Sequence, residues 1–258
     1  MNRKIFLPLA AGIAGIAVLG CGSSGPSASG YVPKKPASLP SATVAAGQEA
    51  TYFPFAVGSQ WTYDSQTSRS VNGHADTPKK QEITYRLDKL TKSPNGGQDA
   101  TFTILTNGEI NDQEVWRVES TGIYQVAMGR VRLNPLSTPQ PMLPFPVKAG
   151  QTFSWSGSIT ADKDGVRQST SKGTILGEQP IDTVTSQYNA IAVDTTGTLK
   201  GKSSDMLTHS ILWFIPNVGI GRFKMEIAGN VDAPAAKGKK VTVDMVQVLE
   251  LKNYSPKK

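Results

Sequence analysis

The chain alternates between apolar and polar positions over most of its length. From Gln81, "QEITYRLDKL" puts Ile83, Tyr85 and Leu87 on one side of an extended segment and Thr84, Arg86 and Asp88 on the other. That period of two is what a half-buried β-strand requires. "DATFTILTNG" continues with Phe102 and Ile104 and ends in Asn107-Gly108, a pair suited to the positive φ values of a two-residue hairpin turn. "SPNGG" at 93–97 and "DKDG" at 162–165 punctuate in the same way, and "NAIAVDTTGT" and "VTVDMVQVLEL" are further period-two runs rich in Val, Ile and Thr. After the first twenty residues no stretch sustains a helical period with caps, apart from a weak one near Ser41. The pattern predicts an all-β fold of about a dozen strands over residues 51–254: a curved antiparallel sheet, either a half-barrel or sandwich-like.

Two stretches break the alternation. In "SILWFIPNVGIGRF" the residues Ile211, Leu212, Trp213, Phe214 and Ile215 are all apolar, so this strand is predicted to be covered on both faces. One cover is the core; the other is either a bound ligand or a segment of the chain. "NPLSTPQPMLPFP" at 134–146 supplies such a segment, because its five prolines cannot donate to a central ladder. It is predicted to lie across the sheet as a lid. There is also an internal echo: "FPFAVGSQWTY" at 53–63 recurs loosely as "LPFPVKAGQTFSW" at 143–155. Gly58 precedes Trp61 and Tyr63 as Gly150 precedes Phe153 and Trp155, so each aromatic pair shares one face of a strand that a glycine launches. The echo predicts two similar strand entries in one continuous sheet. The aromatics read as core anchors, or alternatively as a stacking platform for sugars.

The N-terminus obeys a different rule. Arg3 and Lys4 precede an uncharged run from Ile5 to Gly20, about the length of a signal peptide's hydrophobic segment and short for a membrane span. Val18-Leu19-Gly20-Cys21 resembles the bacterial lipobox, in which the chain is cut before an acylated cysteine. The resemblance implies a signal peptide at 1–20 and lipidation of Cys21. With each buried methylene contributing about 0.8 kcal/mol, two or three acyl chains would hold the protein to a membrane almost irreversibly. Gly22 stands where an aspartate would suggest inner-membrane retention, which points to the outer membrane in a host that has two. Cys21 is the only cysteine, so its thioether would leave no thiol for disulfide, redox or metal chemistry. Residues 21–50, dominated by Gly, Ser, Ala and Pro, read as a flexible tether tens of ångströms long by ~5–6 Å times the square root of length. The composition changes at Tyr52-Phe53-Pro54-Phe55, and 255–258 read as a disordered tail.

Two stretches also carry a family likeness. "YFPFAVGSQWTYD" near the domain start and "LWFIPNVGIGRFKMEI" at 212–227 resemble segments of a group of bacterial secreted proteins and lipoproteins to which no activity is assigned. The closing "VLELKNY" resembles theirs too. The likeness covers most of residues 52–254 and is dense only in those stretches. It implies a curved antiparallel sheet resembling the half-barrels of periplasmic lipoprotein carriers. Asn217 stands where the group usually has glycine; asparagine tolerates the left-handed backbone next best, so the turn is expected to survive.

Charge and chemistry add less. The net charge of +7 falls to +5 without Arg3 and Lys4 and is spread along the chain, apart from Lys237, Lys239 and Lys240; a nucleic-acid protein concentrates such charge on one face. No nucleic acid, metal or cofactor is expected. His74 and His209 lie far apart, and "DKDG" lacks the closing glutamate of a calcium loop. Ser169–Lys172 matches S-x-x-K without its partner motifs, and Gly197–Ser203 has three residues, not four, between the glycines of a phosphate loop. Catalytic residues are therefore not assigned. Paired carboxylates of a glycosidase type, such as Glu119 or Asp194, remain the enzyme alternative. The leading expectation is a non-enzymatic, lipid-anchored envelope protein with a binding or structural role. Its partners would be the membrane through Cys21, and a lipid or lipoprotein; an adhesive module for glycan or protein is the alternative. Candidate ligand-binding residues are Trp61, Tyr63, Phe145, Trp155, Ile211, Trp213, Phe214 and Ile215. A carrier predicts an apolar cavity, and an adhesive module an exposed Trp and Tyr patch.

Overall fold

The computed structural model describes residues 39–129, 132–161, 165–232 and 239–257; Cys21, the signal segment and most of "DKDG" lie outside them. A short 3-10 turn at Glu49–Tyr52 leads into β1 (Gln60–Val71), β2 (His74–Ala75), β3 (Lys79–Lys92), β4 (Gln98–Thr106), β5 (Glu109–Glu119), β6 (Gly122–Gly129) and β7 (Asn134–Pro144). Then follow β8 (Thr152–Ala161), β9 (Gly165–Asp182), β10 (Gln187–Lys200), β11 (Ser204–Ile215), β12 (Gly219–Asp232) and β13 (Lys240–Ser255). The alternating segments form the predicted strands, and all pair antiparallel in the order β7-β6-β5-β4-β3-β1-β13-β12-β11-β10-β9-β8, with β2 a spur on β1. The sheet curls into a nearly closed barrel. Asn107 and Gly108 take φ of 51° and 83° at the β4–β5 turn, as that dipeptide requires.

The internal echo is structural. Each half is a six-stranded meander: β1 with β3–β7, then β8–β13. Gly58 (φ 88°) donates its N–H to the Leu87 carbonyl at 2.7 Å, and Leu87 donates back to Ser59 at 3.0 Å. Gly150 (φ 79°) does the same with Ile175 at 2.7 Å, and Ile175 with Gln151 at 2.9 Å. Register slips by one residue just after each acceptor, at Asp88 and at Leu176, so both halves bend at the same place.

The halves meet unequally. β1, first of its half, pairs along its whole length with β13, last of the other. The matching junction, β7 with β8, is held by side chains: Trp155 Nε1 donates to the Thr138 carbonyl (3.2 Å), Thr138 Oγ1 to the Ser156 carbonyl (3.1 Å), and the Ser158 N–H to Ser137 Oγ (2.7 Å). Pro135, Pro139, Pro141 and Pro144 lie in β7, where missing N–H groups suit an edge strand. The 134–146 segment is therefore not a lid: prolines exclude it from the sheet's centre, but β7 still pairs with β6 and turns Leu136, Gln140, Met142 and Leu143 inward.

The consecutive apolar residues of β11 divide between two faces. Leu212 and Phe214 enter the main core. Trp213 packs outside, where Ile181, Ala190 and Ile215 form a small second cluster, and Arg222 lies 5.6 Å over its ring. One end of the barrel is closed by residues 39–55. Ala42 is fully buried, Tyr52 Oη donates to the Ala42 carbonyl at 2.6 Å, and Glu178 accepts from Ser41 Oγ (2.6 Å) and the Ala42 N–H (2.8 Å). These bonds, the Ser41 hydroxyl first, hold the Glu178 carboxyl below its ordinary range. The packed part thus starts within the stretch that composition assigns to the tether. At the other terminus, the Lys257 N–H donates to Ser59 Oγ at 2.9 Å.

Candidate functional site

The barrel interior holds an aromatic cavity with a buried carboxyl. On β5, Glu114 and Trp116 are two residues apart and so share the inward face; both are buried. β6 places Gln125 opposite Trp116 across a register slip. The Trp116 indole N–H donates to Glu114 Oε2 at 2.7 Å, and the Gln125 amide also hydrogen-bonds the carboxyl. Burial pushes the Glu114 carboxyl up to about 7; the bonds from Trp116 and Gln125 oppose this, and Asp112 on the same strand adds to it. Among the described residues no lysine, arginine or histidine pairs with Glu114. Gln125 is 3% exposed, and its Oε1 has no partner, an uncommon and costly condition for a buried acceptor.

Aromatic rings surround this pair. Phe53, from the end-closing segment, stacks on Trp61 (5.6 Å) and on Trp116 (5.2 Å) and meets Phe102 edge-on at 5.7 Å. The Trp61 indole donates to the Val218 carbonyl and stacks on Tyr254. Tyr63 donates its hydroxyl to the Ile220 carbonyl at 2.8 Å and meets Tyr85 edge-on at 5.8 Å. Burial raises both tyrosine pKa values, and the Glu114 charge raises that of Tyr85 further. Between these rings, Met142, Leu212, Phe223 and Leu249 lies a cavity of about 40 Å³. A water needs roughly 10–15 Å³ measured this way, so the space suits about three water-sized groups.

The structure distributes the sequence's candidates as follows. Trp61 and Tyr63 line the cavity. Phe145 is half-buried against the core, and Trp155 is buried at the β7–β8 junction. Phe214 is buried in the main core; Trp213 and Ile215 belong to the outer cluster, and Ile211 is half-buried opposite Asp194. The sequence reading did not select Glu114, Trp116, Gln125, Tyr85 or Phe223, whereas Leu212 belongs to the apolar run 211–215 that it singled out. One signal for the first two was present: in "NDQEVWRVE" an acidic residue occupies the same period-two face as Trp116 and Val118.

The other candidate chemistry does not line this cavity. Glu119 accepts from Ser93 and lies 3.6 Å from Arg117, and Asp194 contacts His209 Nε2 at 2.7 Å. Glu226 takes the other His209 nitrogen at 3.0 Å, while His74 sits exposed on β2. Ser169 is buried and Lys172 exposed, on opposite faces of β9. Among the described residues no three His, Cys, Asp or Glu side chains are grouped to hold a metal ion.

No protein-family profile and no curated protein sequence matches the chain. Among solved structures it is similar to one described as a candidate lipoprotein from Parabacteroides distasonis, with a TM-score of 0.51, 14% identity, and coverage of 79% of this chain and 98% of the other. It is also similar, at TM-score 0.46, 14% identity and the same coverage, to a candidate exported protein of Bacteroides fragilis described as having a YmcC-like fold. At such identity the first likeness speaks to fold: two chains with little sequence in common curl into a related all-β architecture.

Proposed function

We propose that this is a lipid-anchored protein of the bacterial envelope whose barrel interior receives a small apolar or amphipathic ligand. The observation that carries the reading is the aromatic cavity in a barrel whose β7–β8 junction is joined by side chains. A ladder of backbone hydrogen bonds resists separation along its whole length, whereas bonds through single side chains, as at Thr138, Trp155, Ser137 and Ser158 among the described residues, need few groups to exchange with water. The junction is therefore the natural path to the interior, and Met142 carries β7 to the cavity wall. An adhesive role is less well supported, because Trp61, Trp116 and Trp155 are buried and Trp213 lies under Arg222. The anchor rests on the lipobox resemblance at Cys21, and the description of the neighbour at TM-score 0.51 as a candidate lipoprotein is in keeping with it.

The ligand is tested by native mass spectrometry on a Cys21→Ala protein, released in soluble form and purified gently from a bacterial envelope. A co-purifying small molecule that is lost when Leu212→Trp fills the cavity is the expected result. An unliganded mass under all gentle conditions counts against the reading. The anchor has its own test: labelled palmitate is expected to enter the wild-type chain and not the Cys21→Ala chain.

A further inference from the structure

We infer that the barrel cavity selects a primary ammonium group on a short alkyl chain, held between Glu114, the free carbonyl of Gln125 and the surrounding rings. The inference rests on the interior-ligand reading above and specifies its chemistry. Three observations converge. Glu114 is a buried carboxyl, and among the described residues no cationic side chain reaches it. Gln125 Oε1, beside it, is a buried acceptor without a donor. The rings of Tyr63, Tyr85 and Trp116 line the same space, and ring faces attract cations, the more so away from water; the faces of Phe53 and Trp61 are already taken by stacking.

Each group asks for a different property of the occupant. The carboxylate asks for positive charge, since a buried anion without a partner is strained by lost hydration. The Gln125 carbonyl asks for an N–H or O–H donor, which a quaternary ammonium lacks. The rings and Leu212 ask for an apolar stem. An alkylammonium meets all three, donating to both oxygens while its methylene groups touch the rings. The space, of about 40 Å³, admits roughly three non-hydrogen atoms. At no more than about 1.5 kcal/mol per atom, a short free amine would bind with millimolar affinity, and a ligand that survives purification draws further affinity from contacts outside the cavity. A free short alkylamine and the headgroup of an aminophospholipid present the same chemistry.

The site also makes binding pH-dependent. Among the described residues, Tyr85 on β3, Tyr63 on β1 and Asp112 on β5 are the titratable groups around Glu114. With its carboxyl near 7 in the empty protein, the ionised fraction falls from about nine-tenths at pH 8 to one-tenth at pH 6. Affinity for an ammonium is expected to fall about tenfold over that interval.

The experiment titrates the full-length protein in detergent with ethylammonium and with 1-propanol, following the tryptophan indole N–H signals by NMR. Ethylammonium is expected to shift Trp116 and to bind at least tenfold more tightly than the alcohol at pH 8. Glu114→Gln, which keeps shape and loses charge, is expected to weaken it at least tenfold; Gln125→Leu, several-fold. A wild-type series from pH 8 to pH 6 gives the same answer without any substitution. Equal binding of amine and alcohol, or an unchanged Glu114→Gln, overturns the ammonium assignment and leaves the interior-ligand reading standing. Failure of both probes to enter overturns both. Dihexanoyl phosphatidylethanolamine against the matching phosphatidylglycerol then separates the sources: selective binding of the first assigns the headgroup, and binding of ethylammonium alone assigns free amines.

Discussion

Two residues carry measurable consequences on their own. Glu114 has a folded pKa of about 7, above the ordinary 4.5. A carboxyl with a raised folded pKa contributes stability that is fully present below the unfolded value and is lost as pH rises through the folded one. Between pH 4.5 and pH 8 the loss is on the order of 3 kcal/mol. Urea unfolding of wild type and Glu114→Gln at pH 5 and pH 8 is expected to show the variant gaining on the wild type at pH 8; an equal pH response in both would refute the burial argument. Asn217 sits at φ 62° in the β11–β12 turn, a left-handed backbone that glycine adopts most easily. Asn217→Ala is expected to cost about 1–2 kcal/mol and Asn217→Gly much less, read from thermal melts. A left-handed position of this kind is legible in sequence, because it is set by the residue's own sterics. Glu114 was only half legible: alternation put it on one face with Trp116, but nothing local said that Gln125 and the rings of other strands would surround it.

At the scale of elements, the strands and several turns follow from local pattern, while the role of β7 does not. The prolines of 134–146 exclude a central strand and leave two outcomes, a lid or an edge. The choice was made by Leu136, Gln140, Met142 and Leu143, whose inward face continues the core beyond β6. If the β7–β8 junction is the ligand's path, a cross-link there slows exchange without changing affinity. Ser137→Cys with Ser158→Cys, bridged by a short bismaleimide in a Cys21→Ala background, is expected to lower ligand on- and off-rates together by tenfold or more. Unchanged rates would move the entry to a barrel end. The outward Trp213 makes a related point: a continuous apolar run shows that both faces are covered, not by what.

For the whole molecule, the N-terminal segment belongs to the fold further back than its composition suggests. Ala42 is buried, and Ser41, Ala42 and Thr43 converge on Glu178, a residue more than a hundred positions away. A protein beginning at residue 39 is expected to be more stable than one beginning at 51 by about 1–3 kcal/mol, or roughly 2–4 °C in Tm per kcal/mol. Equal melts would mean that these contacts add nothing. The two-fold echo also has a consequence at this scale. Equivalent strand entries at Gly58 and Gly150 build equivalent halves, yet one junction is a ladder and the other a side-chain seam, so a nearly symmetric plan yields a barrel with two unlike seams.

The sequence by itself determined what depends on neighbours along the chain. Alternation made strands, Asn-Gly and the two launching glycines made turns, and the proline run kept β7 off the centre of the sheet, because φ, ψ and side-chain direction are local properties. The tertiary structure alone decided what depends on closure. Curling the sheet until β7 reached β8 turned one face of every strand inward, and so brought Glu114 and Gln125 together with rings from β1, β3 and the segment before β1. Burial then shifted a carboxyl that any exposed strand would have left ordinary.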